Sequence, residues 1–389
     1  MAVAPTRPWL VLAGLALGLT VTNGFARFAY GLLLPAMKSE LAWNYAQAGW
    51  LNTANALGYV AGAILTMILV RRISPSNLFV FGLVTTTFAL LATGANAALW
   101  WQSLWRIMAG IFGAMSFATA GTLTAGLFQN DPRRNALAIA ILFGSGGGLG
   151  IVLAGAALPL MLDVFGPGFW PYGWYVIGSL SLIILPLGVW SGLQLQTPVE
   201  RAAIPARLPW ARMIPMLVSY MFFGAGYIVF LTFLSAWMVE QDTSAGLVAV
   251  IWVVLGSCIA VSPVLWRPVF ARFGTGLPMT LILVGIALGS SMPVLFHGPV
   301  ALTASAIVFG LSVFMAPGAV TSFARQNLPA DSWARAISLF TVAFAVAQTL
   351  GPYCAGLIGD HYGDIGISLL AASGLLLLGA GIALFQKRL

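Results

Sequence analysis

Twelve apolar stretches, separated by short polar connectors, run from one end of this 389-residue chain to the other. The first six are Trp9–Leu34, Tyr45–Val70, Asn77–Ala97, Leu99–Phe128, Asn135–Leu162 and Pro171–Leu193. The last six are Arg212–Met238, Thr243–Trp266, Gly276–Phe296, Pro299–Phe323, Arg335–Ile358 and Asp364–Phe385. Crossing a ~30 Å hydrocarbon core as a helix takes about 20 mostly apolar residues, and every stretch reaches that length. None alternates with the period of two expected of a barrel strand, so all twelve are expected to be helices. Only 7% of the residues are charged, against about 25% in a soluble domain. Lipid is therefore the main solvent.

The net charge of +8 invites a nucleic-acid reading, but the positions of the charges argue against it. Fourteen of the seventeen basic residues fall in alternate connectors or at the ends: Arg7, Arg71, Arg72, Arg133, Arg134, Arg201, Arg207, Arg212, Arg267, Arg272, Arg325, Arg335, Lys387 and Arg388. The other connectors carry Lys38 beside Glu40, Asp163, Glu240, Asp242, Asp360 and Asp364. By the positive-inside rule both termini are expected in the cytoplasm, and a miscounted helix would break this alternation. The location expected is a cell inner membrane, spanned many times. The first stretch runs well past a signal-peptide core, through Asn23 and Arg27 to Pro35, and reads as a retained helix. Cys258 and Cys354 lie in apolar runs without metal-ligand spacing and read as small packed residues.

One connector is long. Residues 194–211, with Thr197, Pro198, Pro205 and Pro209, fall midway and suggest a cytoplasmic loop between bundles at 1–193 and 212–389. The halves also share a register. Arg134, Leu149-Gly150 and Ala154-Gly155 recur 201 residues later as Arg335, Leu350-Gly351 and Ala355-Gly356. Such duplication marks secondary transporters, whose substrate sits near midplane between the repeats.

This plan of six plus six helices, with an arginine in the fourth, resembles the major facilitator superfamily. The stretch Asn23-Gly24-Phe25-Ala26-Arg27-Phe28-Ala29-Tyr30 through Leu34-Pro35, with Tyr45-Ala46-Gln47-Ala48-Gly49-Trp50-Leu51-Asn52-Thr53-Ala54-Asn55, resembles its YbfB/YjiJ-type branch. The resemblance implies an all-α membrane fold of two pseudo-symmetric bundles, with the first and fourth helices lining a central cavity. Two departures stand out. Val70 precedes Arg71-Arg72 where the superfamily usually carries an aspartate, and the glycine-rich run Gly144 to Gly150 of the fifth stretch lacks the proline of drug antiporters.

Two charges lie well inside a span, Arg27 and Arg106, and no carboxylate lies at comparable depth. An intramembrane charge costs about 2.5–3.5 kcal/mol and is a functional candidate by default. Arginine offers a planar fork of donors matched to carboxylate or phosphate, so one reading is a cavity that binds an organic or inorganic anion. The competing reading is that Arg106 resembles the arginine on the fourth helix of many facilitators, serving structure or proton movement, and that Arg27 pairs with Glu240 or Asp242. Around Arg27, Asn23 and Tyr30 stand at i−4 and i+3 on one helical face. Asn52, Asn55 and Tyr59 form a second polar stripe, either facing a hydrated cavity or bonding between helices. Tyr227, Trp252 and Gln348 are weaker candidates in the second half.

Proton coupling usually needs an intramembrane carboxylate or histidine, yet His297 and His361 sit in connectors. Gly144-Ser145-Gly146-Gly147-Gly148 lacks the lysine and strand of a phosphate loop, and no His-Glu-x-x-His or paired aspartates suggest an enzyme. The sequence thus points to a secondary or facilitative transporter of a small solute, with an anion favoured and a proton-coupled exporter of drugs or sugars as the alternative. The expected partners are a small molecule and the bilayer, with no cofactor, metal or nucleic acid, and the expected unit is a monomer.

Overall fold

A computed structural model describes residues 7–128, 131–195, 208–329 and 332–389. Twelve membrane-length helices run through them: α1 (Pro8–Glu40), α2 (Tyr45–Leu69), α3 (Pro75–Thr93), α4 (Leu99–Ala125), α5 (Arg133–Phe165), α6 (Pro167–Leu193), α7 (Trp210–Glu240), α8 (Ala245–Arg272), α9 (Leu277–Leu295), α10 (Pro299–Asn327), α11 (Arg335–Tyr362) and α12 (Ile365–Leu384). Each expected stretch has its helix, with shifted ends. α1 runs past Pro35 to Glu40, and α8 past Pro263 and Pro268 to Arg272, because polar residues beyond the hydrocarbon can extend a helix into the headgroup zone. Starts follow local chemistry. Asn44 and Gln47 exchange side-chain-to-backbone bonds as a capping box for α2, and Ser74, Ser244 and Asp364 cap α3, α8 and α12. α11 stops at Gly363, whose φ of 69° suits a residue without a side chain. Of the midway connector, residues 196–207, including Thr197, Pro198, Arg201, Pro205 and Arg207, lie outside the described residues.

Packing repeats at an interval of six helices. In the first half α1 packs on α5 and α6, α2 on α4, and α3 on α4 and α6; in the second, α7 packs on α11 and α12, α8 on α10, and α9 on α10 and α12. The halves meet where α5 lies against α8 and α2 against α11, again related by six. The 201-residue register holds at individual contacts. A side chain on Gly150 would strike Gly24 of α1, and one on Gly351 would strike the Ala225 carbonyl of α7. Likewise Gly155 faces Trp252 of α8, whereas Gly356 faces the Tyr45 carbonyl of α2. Small residues bring helices close enough for dispersion forces to act where lipid supplies no hydrophobic drive.

α1 and α7 are the most enclosed, each 72% buried over its apolar window, against 33% for the peripheral α6. Ile183, Val300 and Leu378 point outward, an exposure that suits lipid and would favour aggregation in water. Cys258 is half-buried, while Cys354 is exposed, so the expectation of a packed residue fails at the latter. Position 354 falls on the outer side of α11, where the apolar surroundings that suggested packing are lipid.

Candidate functional site

α1 is not uniformly α-helical. Thr20–Phe28 wind as a π-helix, with Asn23, Gly24 and Arg27 inside it. Such wide turns loosen the i→i−4 ladder and recur at functional sites. Tyr30, just beyond these turns, engages other partners than Arg27. Its hydroxyl donates to the Ala48 carbonyl at 2.7 Å and its ring lies 5.0 Å from the Arg106 guanidinium.

Arg106, on α4, is fully enclosed within the first half. It donates from Nη1 to the Ala26 carbonyl at 2.5 Å, from Nη2 to Asn52 Oδ1 at 3.3 Å, and from Nε toward the Leu51 carbonyl at 3.5 Å. Asn55 donates to the Arg106 carbonyl at 3.0 Å, and Asn52 donates its other amide edge to Thr232 of α7. Arg106 therefore ties α1, α2 and α4 together. Arg106→Gln is expected to lower stability by about 2–4 kcal/mol, because several bonds to a charged donor are lost and their acceptors stay buried. Thermal unfolding in detergent measures this; an unchanged melting temperature would contradict it.

Arg27 faces the other half. Its Nη2 donates to the Tyr227 hydroxyl of α7 at 2.8 Å and to Gln348 Oε1 of α11. Tyr227 donates to the same Oε1 at 3.0 Å. The Tyr59 ring lies 4.7 Å and the Phe28 ring 5.7 Å from the guanidinium carbon. Glu240 is engaged elsewhere, with Lys38 and Tyr45. Among the described residues the ion pairs are Lys38–Glu240 and Arg134–Asp131, so Arg27 is held by neutral dipoles and ring faces alone. Tyr59 follows Tyr45 by about 21 Å of helix rise, roughly half the length of α2, which puts this cluster near mid-depth.

Gln348 adds a second electrostatic feature. Two donors converge on Oε1, so its amide cannot flip without opposing N–H to N–H. Its Nε2 is then left buried with no acceptor among the described residues. Leaving such a donor unpaired costs about 1–3 kcal/mol. The remaining candidates divide. Asn23 is half-buried beside Gly147, whereas Trp252 is enclosed, donating to Ser235 Oγ at 2.9 Å.

A further cluster joins the halves at the end bearing Lys38. The Asp360 carboxylate of α11 accepts from the backbone N–H groups of Tyr45 and Ala46 at 2.7 and 2.9 Å, capping α2 from the opposite half. The Tyr45 hydroxyl donates to Glu240, which also lies 3.6 Å from Lys38 Nζ. In the sequence Lys38, Glu240 and Asp360 fall in connectors and Tyr45 opens the second stretch, with no signal for their pairing, since the partners are 195 and 315 residues apart. Asp360→Ala is expected to weaken closure at this end by about 1 kcal/mol, the usual worth of a cap. Hydrogen exchange at the start of α2 should rise about fivefold; unchanged protection would contradict the capping role.

Twelve helices in two bundles related by an offset of six helices, meeting around a polar centre, have the architecture of the major facilitator superfamily. The family described as "Uncharacterised MFS-type transporter YbfB" matches residues 19–384, and the chain belongs to it. An uncharacterized MFS-type transporter of Bacillus subtilis (strain 168), YceJ, is 26% identical over 256 residues, covering 61% of this chain and 62% of YceJ. The chain thus spans about three-fifths of the length of that curated relative. A mutant of the nucleoside transporter NupG superposes with a TM-score of 0.75 at 18% identity, covering 96% of this chain and 100% of that one. A mutant of the peptide transporter POT in complex with sulfate gives 0.73 at 16%, covering 98% and 96%. A bacterial homolog of the human lysosomal transporter Spinster, inward-facing and occupied, gives 0.71 at 15%, covering 96% and 95%. At these identities the likeness concerns the fold. Family and twelve apolar helices together make this a multi-pass membrane protein of a transporter family.

Proposed function

We propose that the solute is a small organic anion, anchored on Arg27 at the meeting of α1, α7 and α11. The observation that carries this is the pairing of a buried cation lacking a carboxylate with the acceptor-less Gln348 Nε2 beside it. A carboxylate supplies both missing elements: countercharge for the guanidinium and an acceptor for the amide. Tyr227, Tyr59 and Asn23 complete this centre, while Arg106, Tyr30, Asn52, Asn55 and Trp252 brace the helices around it. Because Arg27 bonds across the halves, an arriving anion competes with Gln348 and Tyr227 for the guanidinium. Binding is thereby linked to the relative position of the two bundles, as alternating access needs.

The test is thermal unfolding of the purified protein against carboxylates, amines, nucleosides, small peptides and sugars. A ligand that binds the folded form raises the melting temperature. Stabilisation by carboxylates, and its loss in Arg27→Gln, is expected. Stabilisation confined to amines, nucleosides, peptides or sugars would overturn the proposal.

A further inference from the structure

The surroundings of Arg27 narrow the chemistry of that anion. Resting on the anionic reading, we infer that the site takes a monocarboxylate whose single charge is attached to a flat aromatic body.

Available positive charge limits the charge of the ligand. Of the three basic residues outside the basic connectors and ends, Arg106 is committed to oxygen acceptors within the first half. Lys38 is committed to Glu240 and to the Tyr45 ring, 3.9 Å away, at the end of the bundle. One guanidinium remains. It balances one negative charge; a second carboxylate on the same ligand would enter the protein interior without a countercharge, at a cost of several kcal/mol. Phosphate and sulfate fare no better, because they are strongly hydrated and meet two or three donors here.

Aromatic rings surround the remaining charge. Tyr220, Phe223 and Tyr227 occupy i, i+3 and i+7 of α7 and so share one face. Their rings stack in sequence, 5.6 and 4.6 Å between centroids and 10° and 14° between planes. Phe344 of α11 lies nearly parallel to all three, at 5.1, 5.5 and 5.9 Å. This column begins at Tyr227, whose hydroxyl holds Arg27, and continues away from the Lys38 end. With Tyr59 opposite, the guanidinium is flanked by π faces and apolar edges rather than by further hydrogen-bonding groups. Such a wall favours a planar ring by stacking, worth about 0.5–1.5 kcal/mol per aromatic pair beyond simple burial. The ligand's ring lies along the column while its carboxylate takes Arg27 and Gln348 Nε2.

Four probes dissect the inference by thermal unfolding of the full-length protein: benzoate, cyclohexanecarboxylate, terephthalate and benzamide. Benzoate is expected to stabilise at concentrations at least about 100-fold below terephthalate, and about 3- to 10-fold below cyclohexanecarboxylate. Benzamide, isosteric but neutral, is expected to have no effect. In Phe344→Leu the advantage of benzoate over cyclohexanecarboxylate should vanish while cyclohexanecarboxylate itself still binds. Terephthalate matching benzoate would overturn the monocarboxylate class and leave the anionic reading standing, as would cyclohexanecarboxylate matching it for the aromatic body. Benzamide matching benzoate, or no carboxylate stabilising the protein, would overturn both.

Discussion

Gln348→Glu is expected to abolish anion binding while leaving the protein folded. The substitution changes one amide to a carboxylate at the atom that already accepts from Arg27 and Tyr227. The guanidinium then has an internal counterion, in place and preorganised. An incoming anion must displace that carboxylate and also lie beside its charge. A like-charge neighbour in a site of low dielectric opposes binding by several kcal/mol. A loss of at least about 100-fold in benzoate affinity follows, equal to ~2.7 kcal/mol. The melting temperature without ligand should stay level or rise, because a neutral contact becomes an ion pair of good geometry. Calorimetric titration measures the first effect and thermal unfolding the second. Retained affinity would mean that the anion does not use Arg27.

Gly49→Val should produce the second large effect, this time on conformation. Gly49 of α2 touches α11 so closely that an added Cβ would lie 2.2 Å from the Pro352 carbonyl oxygen. The obstacle is backbone, so no side-chain rotation relieves it, and the two helices must part. At Gly356 of α11 the reciprocal holds: an added Cβ would lie 2.4 Å from the Tyr45 carbonyl oxygen. Parting the helices also pulls Asp360 from the N–H groups it caps, so steric and electrostatic closure fail together. Interiors tolerate such overpacking at a cost of about 1–3 kcal/mol when they can shift, and a mobile interface shifts. Spin labels on Ala42 and Tyr362, both exposed near this end, should lose their short-distance population in the variant. Identical distance distributions in the two proteins would show that this contact does not set closure.

These two sites differ in how far the sequence revealed them. The twelve helices were legible because a bilayer imposes one length and one composition on every span, so hydropathy alone locates them. The repeat was legible because Gly150 and Gly351, and Gly155 and Gly356, must each admit a neighbouring backbone, which fixes residue type at equivalent positions. Arg27 and Arg106 were visible as charges in lipid, but their roles were not. Which one is enclosed and which bridges the halves depends on rotations set by the π-helical turns of α1 and by partners on distant helices. Tyr30 illustrates the limit. Spacing placed it at i+3 from Arg27, yet its hydroxyl and ring are engaged by the Ala48 carbonyl and by Arg106. Gln348 and Tyr227 had no distinguishing signal, since a polar side chain in a span bonds between helices as readily as it lines a cavity.

The direct test of the central claim is equilibrium binding of radiolabelled benzoate to the purified protein and to Arg27→Gln, compared in the same detergent. Saturable binding by the native protein, with affinity lower by about 100-fold or more in a variant that remains folded, is the expected result. Equal binding by the two proteins would contradict the account.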